Sequence, residues 1–192
     1  MIDYGRFQFG AAPRTGSDWV LQAATAAGFT TKTSQSQIHV PPVQRYPLQF
    51  NLTLVRHPYE WLRSYYYYPW GLMVGVPAID VLAPLAVAAQ SFEEFILSYA
   101  EQEAGRYTRI IKSYHGDSVI RTEDLKPAII ELFDALGVGP YWLNMVDQLT
   151  PMPIDLDKAA EAEEIPYLQE IIQKVEPEIY EQYDYQLSGA TL

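Results

Sequence analysis

The sequence predicts an α/β protein, a single domain over residues 1–192 built on a parallel sheet flanked by helices. Three observations carry this expectation. Short runs rich in β-branched and aromatic residues alternate with stretches whose apolar residues recur at helical spacing. Two of those runs pass through a short loop straight into a helix start, the order in which parallel strands are connected. No internal repeat, single-sign charge block or long linker divides the chain.

Residues 6–10 alternate apolar and polar side chains and read as the first strand. A turn-rich loop, Ala11-Ala12-Pro13-Arg14-Thr15-Gly16, leads to a helix over residues 17–27 with Trp19, Val20, Ala23, Ala24 and Ala27 at helical spacing. Phe50–Val55 is the second strand; Arg56 ends it, and Pro58 stands where helices commonly begin. The longest apolar stretch, residues 71–89, is interrupted by Pro77, Asp80 and Pro84, a poor match to the roughly 20 residues of a membrane span. It reads as buried or pocket-lining structure. Ser91-Phe92-Glu93-Glu94 is a capping box that opens a helix toward Gln102. Ser118–Arg121 reads as a short strand before a helix over residues 126–136, stopped by Gly137. Residues 157–183 are helical in pattern, broken by Pro166 and Pro177, with acids at the exposed positions.

Composition narrows the chemistry. Hydrophobic residues at 48% and charged residues at 19% are globular proportions. The absence of Cys excludes disulfides, thiolate metal sites and a cysteine nucleophile, and three scattered His leave little for a histidine metal site. Glu161-Ala162-Glu163-Glu164 reads as a solvated helix face, so no metal is expected. With 24 acids against 13 bases, neither nucleic acid nor an anionic membrane is an expected partner. The excess is confined to residues 97–192, which hold eighteen acids and seven bases, whereas residues 1–96 hold six of each. The neutral first half can still gather Arg side chains around a small anion. Met1-Ile2-Asp3-Tyr4 lacks the basic start and apolar core of a signal peptide, so a cytoplasmic location is expected.

The loop after the first strand has the design of a phosphate cradle: Gly16 lets backbone amides turn inward, and a helix starts with its positive end toward them. It is not a Walker A loop. Gly10 and Gly16 are separated by five residues instead of four, and no Lys precedes Ser17, which disfavours a nucleoside triphosphatase. The second strand ends in Arg56-His57-Pro58, with Ser64 two helical turns further on, so a cation and a hydroxyl can address one anion.

Together these segments resemble the sulfotransferase family, which transfers a sulfuryl group from 3'-phosphoadenosine 5'-phosphosulfate to a hydroxyl or amine. Pro13-Arg14-Thr15-Gly16-Ser17-Asp18-Trp19 resembles the family's 5'-phosphosulfate loop, and Arg56-x-Pro58 with Ser64 resembles its 3'-phosphate motif. Val119-Ile120-Arg121-Thr122-Glu123-Asp124-Leu125 is similar to its strand ending in Tyr-Glu-Asp-Leu, and Phe133-Asp134-Ala135-Leu136-Gly137 to the helix end that follows. The resemblance spans nearly the whole chain and implies a P-loop nucleotide-kinase-like architecture. It implies that Arg14 stabilises the leaving group, that Thr15, Gly16 and Ser17 present amides and a hydroxyl to the phosphosulfate, and that Trp19 meets the adenine. Arg56 and Ser64 would hold the 3' phosphate, with 3'-phosphoadenosine 5'-phosphate as product.

His39, in Gln37-Ile38-His39-Val40-Pro41-Pro42, resembles the histidine that serves cytosolic sulfotransferases as general base, a role that suits an imidazole near neutral pH. Other branches use a Glu, for which Glu60 and Glu123 are the candidates here. The sequence departs from the family in three places. Asp18 stands where a Thr or Ser usually donates to phosphate, Thr122 replaces the Tyr that meets the adenine, and residues 186–192 lack the basic, Gly-rich cofactor clamp. Asp18 and the missing clamp favour a second reading, a degenerate nucleotide-binding or assembly protein of the same fold without turnover. Most of Tyr65-Tyr66-Tyr67-Tyr68 is expected to serve packing, because four successive helical residues point around all faces. The acceptor partner is a small molecule or a carbohydrate.

Overall fold

The computed structural model describes residues 2–31, 50–67, 82–114, 116–150 and 165–186. The chain forms two compact units, Met1–Arg56 with Ile110–Met152, and His57–Arg109 with Pro153–Leu192.

The first unit is α/β. Strands β1 (Ile2–Asp3), β2 (Phe7–Ala11), β3 (Phe50–Val55) and β4 (Ser118–Arg121) form one sheet in the order β1-β2-β3-β4. β1 is an antiparallel edge strand, turned back on β2 by the Tyr4-Gly5-Arg6 turn. The other three strands are parallel, with Phe7 opposite Phe50 and Ala11 opposite Leu54, then Leu52 opposite Ser118 and Val55 opposite Arg121. One face of the sheet presents Phe7, Phe9, Ala11, Leu52, Leu54 and Ile120 to a hydrophobic core. Helices α1 (Ser17–Ala26), α6 (Leu125–Ala135) and α7 (Pro140–Asp147) complete that core with Trp19, Val20, Ala23, Ile129, Phe133 and Val146. The alternate positions Gln8, Asn51 and Thr53 are buried and polar. Strands of parallel sheets are usually apolar on both faces. The Asn51 side chain donates to Asp117 Oδ2 at 2.8 Å, and Thr53 Oγ1 donates to the Gly10 carbonyl at 3.2 Å.

The first strand runs one residue later than the alternation predicts, over Phe7–Ala11, because Arg6 is exposed and its guanidinium donates to the Leu136 carbonyl at the end of α6. The second and third parallel strands and the start of α2 (Pro58–Tyr66) fall where the sequence places them. α6 begins at Leu125, directly after a 3₁₀ turn over Thr122–Asp124, and ends before Gly137.

The second unit is helical. It contains α2, α3 (Leu82–Ala88), α4 (Phe92–Gln102), the start of α5 (Arg106–Tyr114), α8 (Pro166–Val175) and α9 (Pro177–Gln182). Ser91 caps α4 by accepting from the Glu94 amide at 3.1 Å, but the Glu94 carboxylate accepts from the Gln90 amide, so the box closes one residue early. Pro166 and Pro177 occupy the first turns of two successive helices, a place where a missing amide hydrogen costs nothing. Glu176 is fully buried between those helices and accepts from the amides of Tyr107 and Thr108, from Thr108 Oγ1 and from the Tyr99 hydroxyl. A carboxylate about seventy residues away thus caps the N-terminus of α5.

Tyr65 is buried against Trp61, while Tyr66 and Tyr67 are half-buried beside Phe95 and Phe92, so these three tyrosines pack. No described helix is long and apolar enough to cross a membrane.

Candidate anion-binding site

The carboxyl ends of the three parallel strands converge on the loop between β2 and α1. This edge is where open α/β sheets present ligand sites. β2 delivers Ala12-Pro13-Arg14-Thr15-Gly16, β3 delivers Arg56, and β4 delivers Thr122.

The loop holds two left-handed residues, Arg14 at φ 68° and Gly16 at φ 86°. For Gly this is ordinary backbone; for Arg it costs on the order of 1–2 kcal/mol, so the surrounding contacts must impose it. Arg56 Nη1 donates to the Arg14 carbonyl at 3.3 Å, and Thr122 Oγ1 lies 2.9 Å from the Thr15 carbonyl. Thr15 is buried and spends its hydroxyl on the Ala12 carbonyl at 2.7 Å.

The consequence follows from the peptide plane. In a trans peptide the N–H points opposite to the C=O that precedes it, and the described chain has no cis bond. Anchoring the Arg14 and Thr15 carbonyls to Arg56 and Thr122 therefore turns the Thr15 and Gly16 amides the other way. α1 starts immediately after them with Gly16 at its N-cap, where no side chain caps the first turn. The Gly16 amide turned away from Thr122, a helix N-terminus, and a loop that carries Arg14 and meets the Arg56 guanidinium make an arrangement suited to a phosphate-type anion. Gly16 is required for it. A Cβ there would stand 3.2 Å from Leu125 Cδ2 and 3.3 Å from Thr122 Cγ2.

The remaining expected site residues are distributed as follows. Ser17 is buried at the first position of α1, and Asp18 is exposed in the same turn. Trp19, expected to meet adenine, is 3% exposed within the core of the first unit, and its indole N–H has no hydrogen-bond partner among the described residues. Ser64 is buried on α2 in the second unit. His39, Tyr68, residues 71–81 and Glu161 to Glu164 lie outside the described residues. Glu123 is exposed in the 3₁₀ turn beside Thr122, and Glu60 pairs with Arg63 at 3.2 Å on α2. Arg56 has a second role that its strand-end position does not announce, as a donor to the loop backbone. Thr122 was legible only as a substituted aromatic; its hydroxyl is what reaches the loop.

The first unit is thus an α/β layer carrying an anion-suited loop at the carboxyl edge of its parallel strands. No protein-family model, curated protein or solved structure matches the chain.

Proposed function

We propose that the chain is a sulfotransferase of P-loop nucleotide-kinase-like architecture, using 3'-phosphoadenosine 5'-phosphosulfate to modify a hydroxyl or amine of a small-molecule or carbohydrate acceptor. The reading rests most on the loop after β2, whose left-handed Arg14 and Gly16 and hydrogen-bonded carbonyls turn the Gly16 amide away from Thr122 at the start of α1, on a loop that meets Arg56. The donor set fits an anion of this type, since an Arg guanidinium presents its donors in a planar fork that matches a phosphate. When bound, the cofactor supplies the activated sulfuryl group. Arg14 would oppose negative charge on the phosphate that carries the sulfuryl group, and the Thr15 and Gly16 amides would hold that phosphate. Arg56 would read the 3' phosphate, a role that the resemblance also gives to Ser64, eight residues further along the sequence. His39 takes the proton of the acceptor.

Transfer of label from ³⁵S-labelled cofactor to a panel of phenols, sugars and amines tests the proposal. Transfer that falls by about 100-fold to 10,000-fold in His39→Ala, with nucleotide affinity kept, is the expected result. The second reading, a nucleotide-binding or assembly protein without turnover, is favoured by Asp18 in the first turn of α1, where sulfotransferases usually carry a hydroxyl that donates to phosphate. Nucleotide binding without transfer to any acceptor would select it.

A further inference from the structure

Thr122 does more than replace an aromatic. Its Oγ1 lies 2.9 Å from the Thr15 carbonyl and 3.0 Å from the Val55 carbonyl, so one hydroxyl at the end of β4 is shared between the loop after β2 and the end of β3. Each of those carbonyls precedes an amide at the candidate site, Gly16 in one case and Arg56 in the other. By the peptide-plane argument, the hydroxyl sets the direction of both N–H groups. On its other branch, Thr122 Cγ2 packs where a Cβ on residue 16 would stand, within 3.3 Å. Three parallel strands are thereby tied at their carboxyl ends by one side chain, and the tie runs through the two peptide units that bound the cradle.

We infer that Thr122 is a positioning residue: its shared hydroxyl ties the end of β3 to the loop and fixes the Gly16 amide in the orientation that binds the anionic end of the ligand. This rests on the proposed cofactor-binding reading and goes beyond it. A larger aromatic at this position cannot make the same short contact, so cradle orientation here depends on the hydroxyl. Thr has the necessary form. Its methyl fills the space beside Gly16 while its oxygen reaches the two carbonyls, and its β-branch restricts χ1 so that the oxygen is held in place.

The two branches can be separated by substitution. Thr122→Val keeps the shape and the methyl contact and removes the hydroxyl; Thr122→Ser keeps the hydroxyl and removes the methyl. The probe is 3'-phosphoadenosine 5'-phosphate, titrated by calorimetry against wild type and both variants, together with amide ¹H–¹⁵N spectra and melting temperatures. Thr122→Val is expected to weaken binding about tenfold and to move the Gly16 and Arg56 amide resonances, because misdirected donors lose both a hydrogen bond and its preorganisation. Thr122→Ser is expected to bind within about threefold of wild type, even where its melting temperature falls further than that of Thr122→Val. A purely structural Thr122 would make affinity follow stability instead. Full affinity in Thr122→Val, or unmoved Gly16 and Arg56 resonances, overturns the inference and leaves the cofactor reading standing. Absence of binding by wild type removes both.

Discussion

Gly16→Ala probes the loop's conformation without reference to any ligand, and Gly28→Ala supplies its internal control. Both glycines are left-handed, at φ 86° and φ 81°. A side chain at either position therefore carries the same backbone penalty of about 1–2 kcal/mol. They differ in surroundings. A Cβ on residue 28 would meet nothing within 4 Å, whereas one on residue 16 would press on Leu125 Cδ2 and Thr122 Cγ2 at 3.2 and 3.3 Å. Both neighbours are side-chain methyls in a packed setting, and overpacking of this kind costs about 1–3 kcal/mol. At about 2–4 °C per kcal/mol for a chain of this size, Gly28→Ala lowers the melting temperature by about 2–8 °C and Gly16→Ala by a further 2–12 °C or so. Thermal unfolding followed by far-ultraviolet circular dichroism reads the difference. If Gly16→Ala melts at or above the temperature of Gly28→Ala, residue 16 is not left-handed against Thr122 and Leu125, and the cradle geometry fails with it.

Asp18→Thr installs the hydroxyl that sulfotransferases usually carry at the corresponding position, but the carboxylate it replaces is exposed, so nucleotide affinity measured by calorimetry stays within about threefold. A gain above tenfold would mean that the carboxylate faces the ligand. In the second unit, Glu176→Ala leaves the Tyr107 and Thr108 amides and two hydroxyls without their acceptor and costs about 3–5 kcal/mol in urea unfolding. Glu176→Gln, which retains one accepting oxygen, loses less; equal losses would refute the capping account of α5. Alkaline stability carries a sign. Burial raises the Tyr4 phenol from 10.0 to about 12, and Tyr114 and Tyr180 move the same way. The unfolded chain releases these protons first, so this stability is complete below pH 10 and declines as pH rises through 12. Urea midpoints that hold steady or rise across that window would contradict it.

Much of the first unit was legible because its signals are local. β3 is a dense run of β-branched and aromatic residues closed by Arg56, and Pro58 marks the start of α2, so both emerge at their observed ends. The elements that escaped are those defined by distant partners. β1 has two residues, too few for a period, and exists because β2 pairs with it. The helical spacing of Tyr107, Ile111 and Tyr114 in α5 was present, but no local residue announces its start; the cap is Glu176. Buried Gln8, Asn51 and Thr53 look from sequence like the solvent side of a strand. The same division holds at the candidate site. Arg14, Gly16 and Arg56 could be read because strand-loop-helix order places them at one edge of the sheet. The left-handed Arg14 and the shared hydroxyl of Thr122 could not, since each depends on hydrogen bonds across more than forty residues of sequence.

The central claim is that the loop and Arg56 bind a nucleotide through its phosphates, and that the 3' phosphate distinguishes the proper ligand. Parallel calorimetric titrations of wild type and Arg56→Ala with 3'-phosphoadenosine 5'-phosphate and with ATP test this most directly. The expected result is tighter binding of the 3'-phosphorylated nucleotide by wild type, and a loss of about 1.5–3 kcal/mol for that ligand in Arg56→Ala, the usual scale for a charged hydrogen-bond partner. Equal affinity for ATP, or undiminished binding by Arg56→Ala, would contradict it.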